Sequence, residues 1–161
     1  MIKGENVMLG YWNNKKETDN VLKDGWLYTG DIGHFEDGYL KITDRKKDIL
    51  ITPGGDNISP VKIENDLIKI DFIEQALVYG DNKPYLIALL VLSNENKSLE
   101  NKIISDEIEK INNNLSKIEK IKKFFVINEQ FTIENGMMTP TLKLKRYKII
   151  QKYKNEFEKL Y

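Results

Sequence analysis

The sequence predicts an α+β protein: a small sheet covered by helices, preceded by a short tract of terminal β-strands from a second unit. Three observations carry this expectation. Within residues 46–161, apolar runs at 75–80, 85–92 and 123–127 alternate with segments whose apolar residues recur at helical spacing. Neighbouring strands with a water-shunning face need helices packed over them. Residues 1–45 read instead as short strands joined by glycine turns, with too little apolar surface to stand comfortably alone. Between the two, residues 44–58 pass from a knot of charge through Ile49-Leu50-Ile51 and Pro53-Gly54-Gly55 to a helix entry, an order suited to a joint or to the edge of a ligand site.

Taken in order, Gly4, Glu5 and Asn6 read as a turn and residues 7–12 as an apolar, aromatic strand. A polar surface helix is expected from near Asn13 or Asn14, ending before Asp24-Gly25. Trp26-Leu27-Tyr28 is the next strand. Asp37-Gly38 is a hairpin signal between residues 32–35 and the alternating run 39–43. Ser59 and Pro60 suit the cap and first position of a helix carrying Val61, Ile63, Leu67 and Ile68. Strands at 75–80 and 85–92 follow, then a helix from about Ser98 to Ile111. Leu115, Ile118 and Ile121 suggest a further helix to about Lys120, residues 123–127 a strand, residues 131–134 a short extended piece, and residues 147–160 a terminal helix.

Composition narrows the chemistry. Lys+Arg and Asp+Glu both total 25, so the net charge is 0, which argues against broad nucleic-acid binding. The absence of cysteine excludes disulfides, thiolate catalysis and Cys-based zinc sites, and a single histidine excludes a histidine metal cluster. That residue, His34, beside the Asp37-Gly38 turn, reads as structural or superficial, and nothing in the sequence supports a Ser/His/Asp arrangement around it. The opening residues lack the apolar run of a signal peptide, and no apolar stretch approaches the roughly 20 residues that span a bilayer. The expectation is a cytoplasmic protein.

Four places could carry chemistry. Asp31, after Thr29-Gly30 at a strand end, could accept hydrogen bonds from vicinal sugar hydroxyls, or could cap a turn. Arg45, with Lys46 and Lys47, could hold a polyanion through its guanidinium fork, or belong to a solvated charge run flanked by Asp44 and Asp48. Gly54 and Gly55 could let backbone approach a ligand, or make an ordinary tight turn; they lack the spacing of a P-loop or a dinucleotide fingerprint. Lys143, in Thr139-Pro140-Thr141-Leu142-Lys143-Leu144-Lys145-Arg146, could bring a cation to developing negative charge, or sit in a basic surface loop. If that stretch is extended, Lys143 and Lys145 share one face and the two leucines the other. No aromatic platform accompanies it, which counts against a single-stranded nucleic-acid arm.

Together, Trp26-Leu27-Tyr28-Thr29-Gly30-Asp31, Gly38-Tyr39-Leu40, Asp44-Arg45-Lys46-Lys47-Asp48, Gly54-Gly55-Asp56-Asn57-Ile58-Ser59-Pro60 and residues 139–146 resemble, in order and spacing, the late motifs of adenylate-forming acyl-CoA synthetases. The resemblance covers essentially the whole chain, which is similar to the C-terminal part of a bacterial long-chain fatty-acid–CoA ligase. It implies that residues 1–45 are the last strands of a large adenylation domain and residues 46–161 a mobile C-terminal domain beyond a hinge. Asp31 would bind the ribose of ATP and AMP, Arg45 ribose or phosphate, and Lys47 would be the hinge residue. Gly54 and Gly55 would form the loop facing the site during thioester formation, and Lys143 would be the adenylation lysine. The implied substrates are a fatty acid, ATP with Mg2+, and coenzyme A, and the implied partner is the N-terminal adenylation domain. No specific nucleic acid and no metal site of the chain's own are expected. Because long-chain acids partition into membranes, peripheral association of the complete enzyme at the inner face of the membrane is compatible with the resemblance.

At the last motif the commoner family form is Ser/Thr–Gly–Lys, whereas this chain has Thr141-Leu142-Lys143, a form frequent in the long-chain branch. Lys145 is the register rival of Lys143, and family alignment favours Lys143. The phosphate loop, adenine pocket and acyl tunnel of the family are not among these residues, so the chain alone is expected to be inactive. The competing readings are a ligase of the same superfamily for another carboxylic acid, and a non-catalytic nucleotide- or protein-binding module.

Overall fold

The computed structural model describes residues 1–161. The chain divides into two compact units, Met1–Asp48 and Ile49–Tyr161.

In the first unit, α1 (Lys15–Val21) begins where the Asn14 side chain accepts the Glu17 N–H, and it buries no residue. A helix without an apolar stripe stays on the surface, as the polar sequence predicts. Strands β1 (Leu22–Lys23) and β2 (Trp26–Leu27) pair antiparallel. Strands β3 (Asp31–Glu36) and β4 (Tyr39–Arg45) form a hairpin around Asp37 (φ 51°) and Gly38 (φ 83°), the left-handed pair that an Asp-Gly turn supplies. Residues 7–12 do not form the expected strand. Leu9 and Trp12 are fully exposed, and an apolar run becomes a strand only where a neighbour supplies ladder hydrogen bonds. Here Tyr11 N–H is taken instead by the Thr18 hydroxyl at 2.9 Å.

The second unit opens with the ribbon β5 (Leu50–Ile51) and β6 (Asn57–Ile58). Helix α2 (Pro60–Leu67) follows, with Ser59 accepting from Lys62 N–H and Pro60 at the first turn, as its sequence predicts. Strands β7 (Ile73–Tyr79), β8 (Leu86–Leu92) and β9 (Ile121–Ile127) make a sheet in that order, β7 antiparallel and β9 parallel to β8. Parallel pairing requires a crossover, and α3 (Asn101–Asn112) supplies it. The chain ends in α4 (Arg146–Lys152) and α5 (Lys154–Glu158), separated at Tyr153 (φ −101°, ψ 23°), so the expected single terminal helix is two short ones.

Every residue of β8 is buried, because the sheet is covered on both faces. On one face Val78, Ala88 and Leu90 pack with Ile63 and Leu67 of α2 and Ile104 and Ile108 of α3. On the other, Leu77, Ile87 and Leu89 pack with Phe131, Met137, Ile149 and Phe157. A period-2 strand feeds alternate side chains to opposite faces, so one continuous apolar run builds both cores.

Two further expectations fail. Residues 113–120 are turns rather than a helix. The Asn112 side chain accepts Ile121 N–H and donates to Ile121 O, both at 2.9 Å. Glu119 meanwhile accepts from the Ser116 N–H and hydroxyl. These bonds replace the helical ladder, and Leu115 reaches the core without it. Phe131 is held by the Gln75 side chain, which accepts its N–H at 2.7 Å and donates to its carbonyl at 2.9 Å, and the chain then turns at Ile133 and Glu134. No helix is long and apolar enough to cross a membrane.

Candidate functional site

In the first unit the hairpin sets Asp31 opposite Arg45. Pairing runs Glu36 to Tyr39 and Gly33 to Ile42, and continued unbroken it would face Asp31 with Asp44, one carboxylate against another. A bulge between Ile32 and Gly33 shifts the partner by one residue. Gly33 permits the irregularity, since a Cβ there would lie 2.5 Å from Lys41 O. Arg45 Nε then donates to Asp31 Oδ1 at 2.9 Å. The bond raises the Arg45 pKa further above its ordinary value, against a smaller desolvation penalty. Asp31 N–H is taken by the Thr29 hydroxyl at 3.1 Å, and Lys46 N–H by Gly30 O at 2.8 Å, with Gly30 at φ 71°. Asp44 is buried and accepts Arg45 N–H at 2.7 Å.

The pair is half-exposed. It offers a carboxylate acceptor beside a guanidinium with further donors, suited to hydroxyls next to an anion. Sequence reading named both residues and missed their contact. The signal was Gly33, an isolated glycine within a strand pattern. Lys47 lies exposed in the turn of residues 46–48, where Asp48 N–H closes on Arg45 O at 2.9 Å. His34 is exposed on β3 opposite Lys41.

In the second unit Gly54 and Gly55 occupy the exposed turn between β5 and β6. Gly55 is left-handed at φ 87°, with open space where a Cβ would stand. Thr52 and Asp56, which sequence reading did not single out, brace this turn. Thr52 N–H and Asp56 O bond at 2.9 Å, and the Thr52 hydroxyl both donates to Asp56 Oδ2 and accepts Asp56 N–H at 3.0 Å. Asp81 Oδ1 accepts Ile51 N–H at 3.0 Å, tying the ribbon to the β7–β8 loop.

Lys143 is exposed in a tight loop, so the conditional extended geometry that would align it with Lys145 is not present. Met138 and Leu144 form an isolated bridge below the loop, and Lys145 N–H donates to Met137 O at 2.7 Å. Leu142, at φ 58°, occupies the left-handed region in which glycine is at ease. Three residues past Lys143, Arg146 donates to Glu64 Oε1 and to Val78 O, both at 2.5 Å, while Val78 N–H donates to the same Glu64 oxygen at 2.7 Å. Arg146 therefore fixes α4, and the loop before it, to α2 and β7. No group of three His, Cys, Asp or Glu residues is placed to hold a metal.

Residues 47–161 match the AMP-binding enzyme C-terminal domain family. The chain is 34% identical over 183 residues to the long-chain-fatty-acid–CoA ligase FadD15 of Mycobacterium tuberculosis, covering 100% of this chain and 30% of that protein. It is 36% identical over 184 residues to long-chain-fatty-acid–CoA ligase 5 of Rattus norvegicus, covering 99% and 27%. Among solved structures it resembles the A domain of the carboxylic acid reductase from Segniliparus rugosus, in complex with AMP and a co-purified carboxylic acid. That likeness has a TM-score of 0.90 at 26% identity, over 99% of this chain and 27% of the other. It also resembles the o-succinylbenzoate CoA synthetase of Bacillus subtilis in complex with its acyl-adenylate intermediate, with a TM-score of 0.72 at 30% identity, over 91% of this chain and 29% of the other. The chain thus spans about three-tenths of the length of the first of these relatives. By the family match over most of its length and by its α+β architecture, the chain belongs to the AMP-binding enzyme C-terminal domain family of adenylate-forming enzymes.

Proposed function

We propose that the chain is the C-terminal part of an AMP-forming ligase that activates a long-chain fatty acid with ATP and transfers it to coenzyme A. The observation that carries the reading is the Asp31–Arg45 contact, a fixed carboxylate and guanidinium at the open end of a hairpin. The names of the relatives above support the acyl class. Residues 1–45 would close the adenylation domain and residues 46–161 would form the mobile domain, with Lys47 as the hinge. In the first half-reaction the acid's carboxylate attacks the α-phosphorus of ATP, and pyrophosphate leaves. In the second the thiolate of coenzyme A attacks the acyl carbon, and AMP leaves.

In this reading Asp31 accepts the ribose hydroxyls, and Arg45, already oriented by Asp31, meets ribose or phosphate. The Lys143 ammonium stabilises charge growing between carboxylate and α-phosphate, and is withdrawn for thioester formation. The Gly54 and Gly55 turn then faces the pantetheine. Mg2+ would travel with the ATP phosphates and neutralise them. Activity would require the N-terminal adenylation region, and peripheral membrane association would belong to the complete enzyme.

The test is ATP–pyrophosphate exchange by the chain, alone and reconstituted with an N-terminal adenylation region, across acids of increasing length. Exchange only on reconstitution, strongest with long-chain acids, is expected. Preference for an aryl or short-chain acid would reassign the substrate within the superfamily. No exchange with any acid, despite folded partners, would favour a binding module.

A further inference from the structure

Around Lys143 the loop of residues 139–143 is closed almost entirely by one residue. Thr139 N–H donates to Lys143 O at 2.8 Å, and Thr139 O accepts Leu142 N–H at 2.9 Å. The Thr139 hydroxyl oxygen accepts Lys143 N–H at 3.0 Å and lies 3.0 Å from the Thr141 hydroxyl. Every polar atom of Thr139 thus serves the loop. The loop also needs holding, because Leu142 sits at φ 58°, where a side chain is disfavoured. Of these four contacts, only the two made by the hydroxyl depend on side-chain identity; the others survive any non-proline substitution. Thr139 is half-buried and belongs to neither core, although its neighbour Met138 packs against the second, so its hydroxyl serves the loop rather than apolar packing.

We propose that Thr139 is a positioning residue for Lys143: its hydroxyl fixes the Lys143 backbone in the closed loop, so that the ammonium is presented in one geometry. The role rests on the reading of Lys143 as the adenylation lysine. A preorganised charge stabilises a transition state because it need not be reoriented as charge develops. A loop opened at Lys143 N–H would therefore slow adenylation more than it weakens nucleotide binding. Thioester formation, from which Lys143 is withdrawn, would be spared.

Two measurements on Thr139→Val and Thr139→Ser test this. In the 161-residue chain, amide hydrogen exchange at Lys143 should quicken about fivefold or more in Thr139→Val and stay slow in Thr139→Ser, with one cooperative urea transition retained in both. Unchanged protection in Thr139→Val overturns the loop closure. In the reconstituted ligase, Thr139→Val should lower kcat for pyrophosphate exchange about five- to tenfold with KM for ATP within about twofold. It should leave thioester formation from supplied acyl-adenylate intact, and Thr139→Ser should restore exchange. No loss of exchange, or equal loss in both half-reactions, overturns the positioning role. Lys143→Ala is run in parallel. If it retains exchange, the Lys143 reading itself fails and the role falls with it, while the amide measurement still decides whether the hydroxyl closes the loop.

Discussion

At the scale of single residues, backbone conformation and charge make separate demands. With Lys143 in its proposed role as the adenylation lysine, Lys143→Ala in the reconstituted ligase should lower adenylation by about 10²–10³-fold, the cost of removing a preorganised electrostatic donor, and leave thioester formation from supplied acyl-adenylate within about twofold. Separate half-reaction assays read the split, and equal losses would dissociate Lys143 from a single conformation. Leu142 and Gly55 share the left-handed region, at φ 58° and φ 87°, with opposite side chains. Leu142 carries strain of roughly 1–2 kcal/mol, which glycine would relieve, at a cost of about 0.5–1 kcal/mol in unfolded-chain entropy. Leu142→Gly should therefore be close to neutral or slightly stabilising in urea unfolding. Gly55→Ala should lose about 1 kcal/mol, from φ alone, because the space for a Cβ is open. Leu142 also leaves an apolar side chain exposed beside Lys143.

At the scale of elements, buried polar groups decide how segments meet. Glu64 and Arg146, with side chains 11% and 12% exposed, join α2 to α4 through the backbone of β7. Removing one member of a buried pair strands the other, so Arg146→Ala should cost about 3–5 kcal/mol by urea unfolding. A loss below about 1 kcal/mol would show the pair to be solvated. Glu119 braces the turn that replaced the expected helix, and its pKa is lowered from 4.5 chiefly by the Ser116 hydroxyl, with Lys62 a lesser cause. A depressed folded pKa means that the carboxylate's contribution is fully present above about pH 4.5 and disappears as pH falls through the lower folded value. Glu119→Gln should accordingly destabilise the chain at pH 7, and the difference from the parent should shrink as pH falls below 4.5 and through the lower folded value, in urea midpoints measured across that range. Leu115, Ile118 and Ile121 mimic a helical stripe, yet Asn112 pairs with Ile121 as a ladder neighbour would. That side-chain substitution for backbone pairing is the physical reason periodicity misread the segment.

At the scale of the whole molecule, apolar burial is one-sided. Every buried hydrophobic residue, from Leu50 to Phe157, lies in the second unit, whereas Phe35, Tyr39, Leu40 and Ile42 of the hairpin are exposed. Hydrophobic burial is the main term favouring folding. Residues 49–161 alone should therefore unfold cooperatively at the midpoint of the intact chain, and residues 1–48 alone should show no cooperative transition by circular dichroism. A clear fall in the midpoint for 49–161 would mean the first unit contributes to the core's stability. By itself the sequence determined the α+β class, the Asp37-Gly38 hairpin, the Ser59-Pro60 helix start and the apolar strand at 85–92, whose covering on both faces the structure added. Each is set by local chemistry: a turn residue tolerant of positive φ, a cap, or a continuous apolar run. Only the tertiary structure decided that Asp31 meets Arg45 and not Asp44, that Gln75 pairs with Phe131, and that Arg146 anchors the loop bearing Lys143. These depend on a bulge, on register and on contacts between residues far apart in the chain, where one residue's shift exchanges an ion pair for a repulsion and no local pattern records the choice.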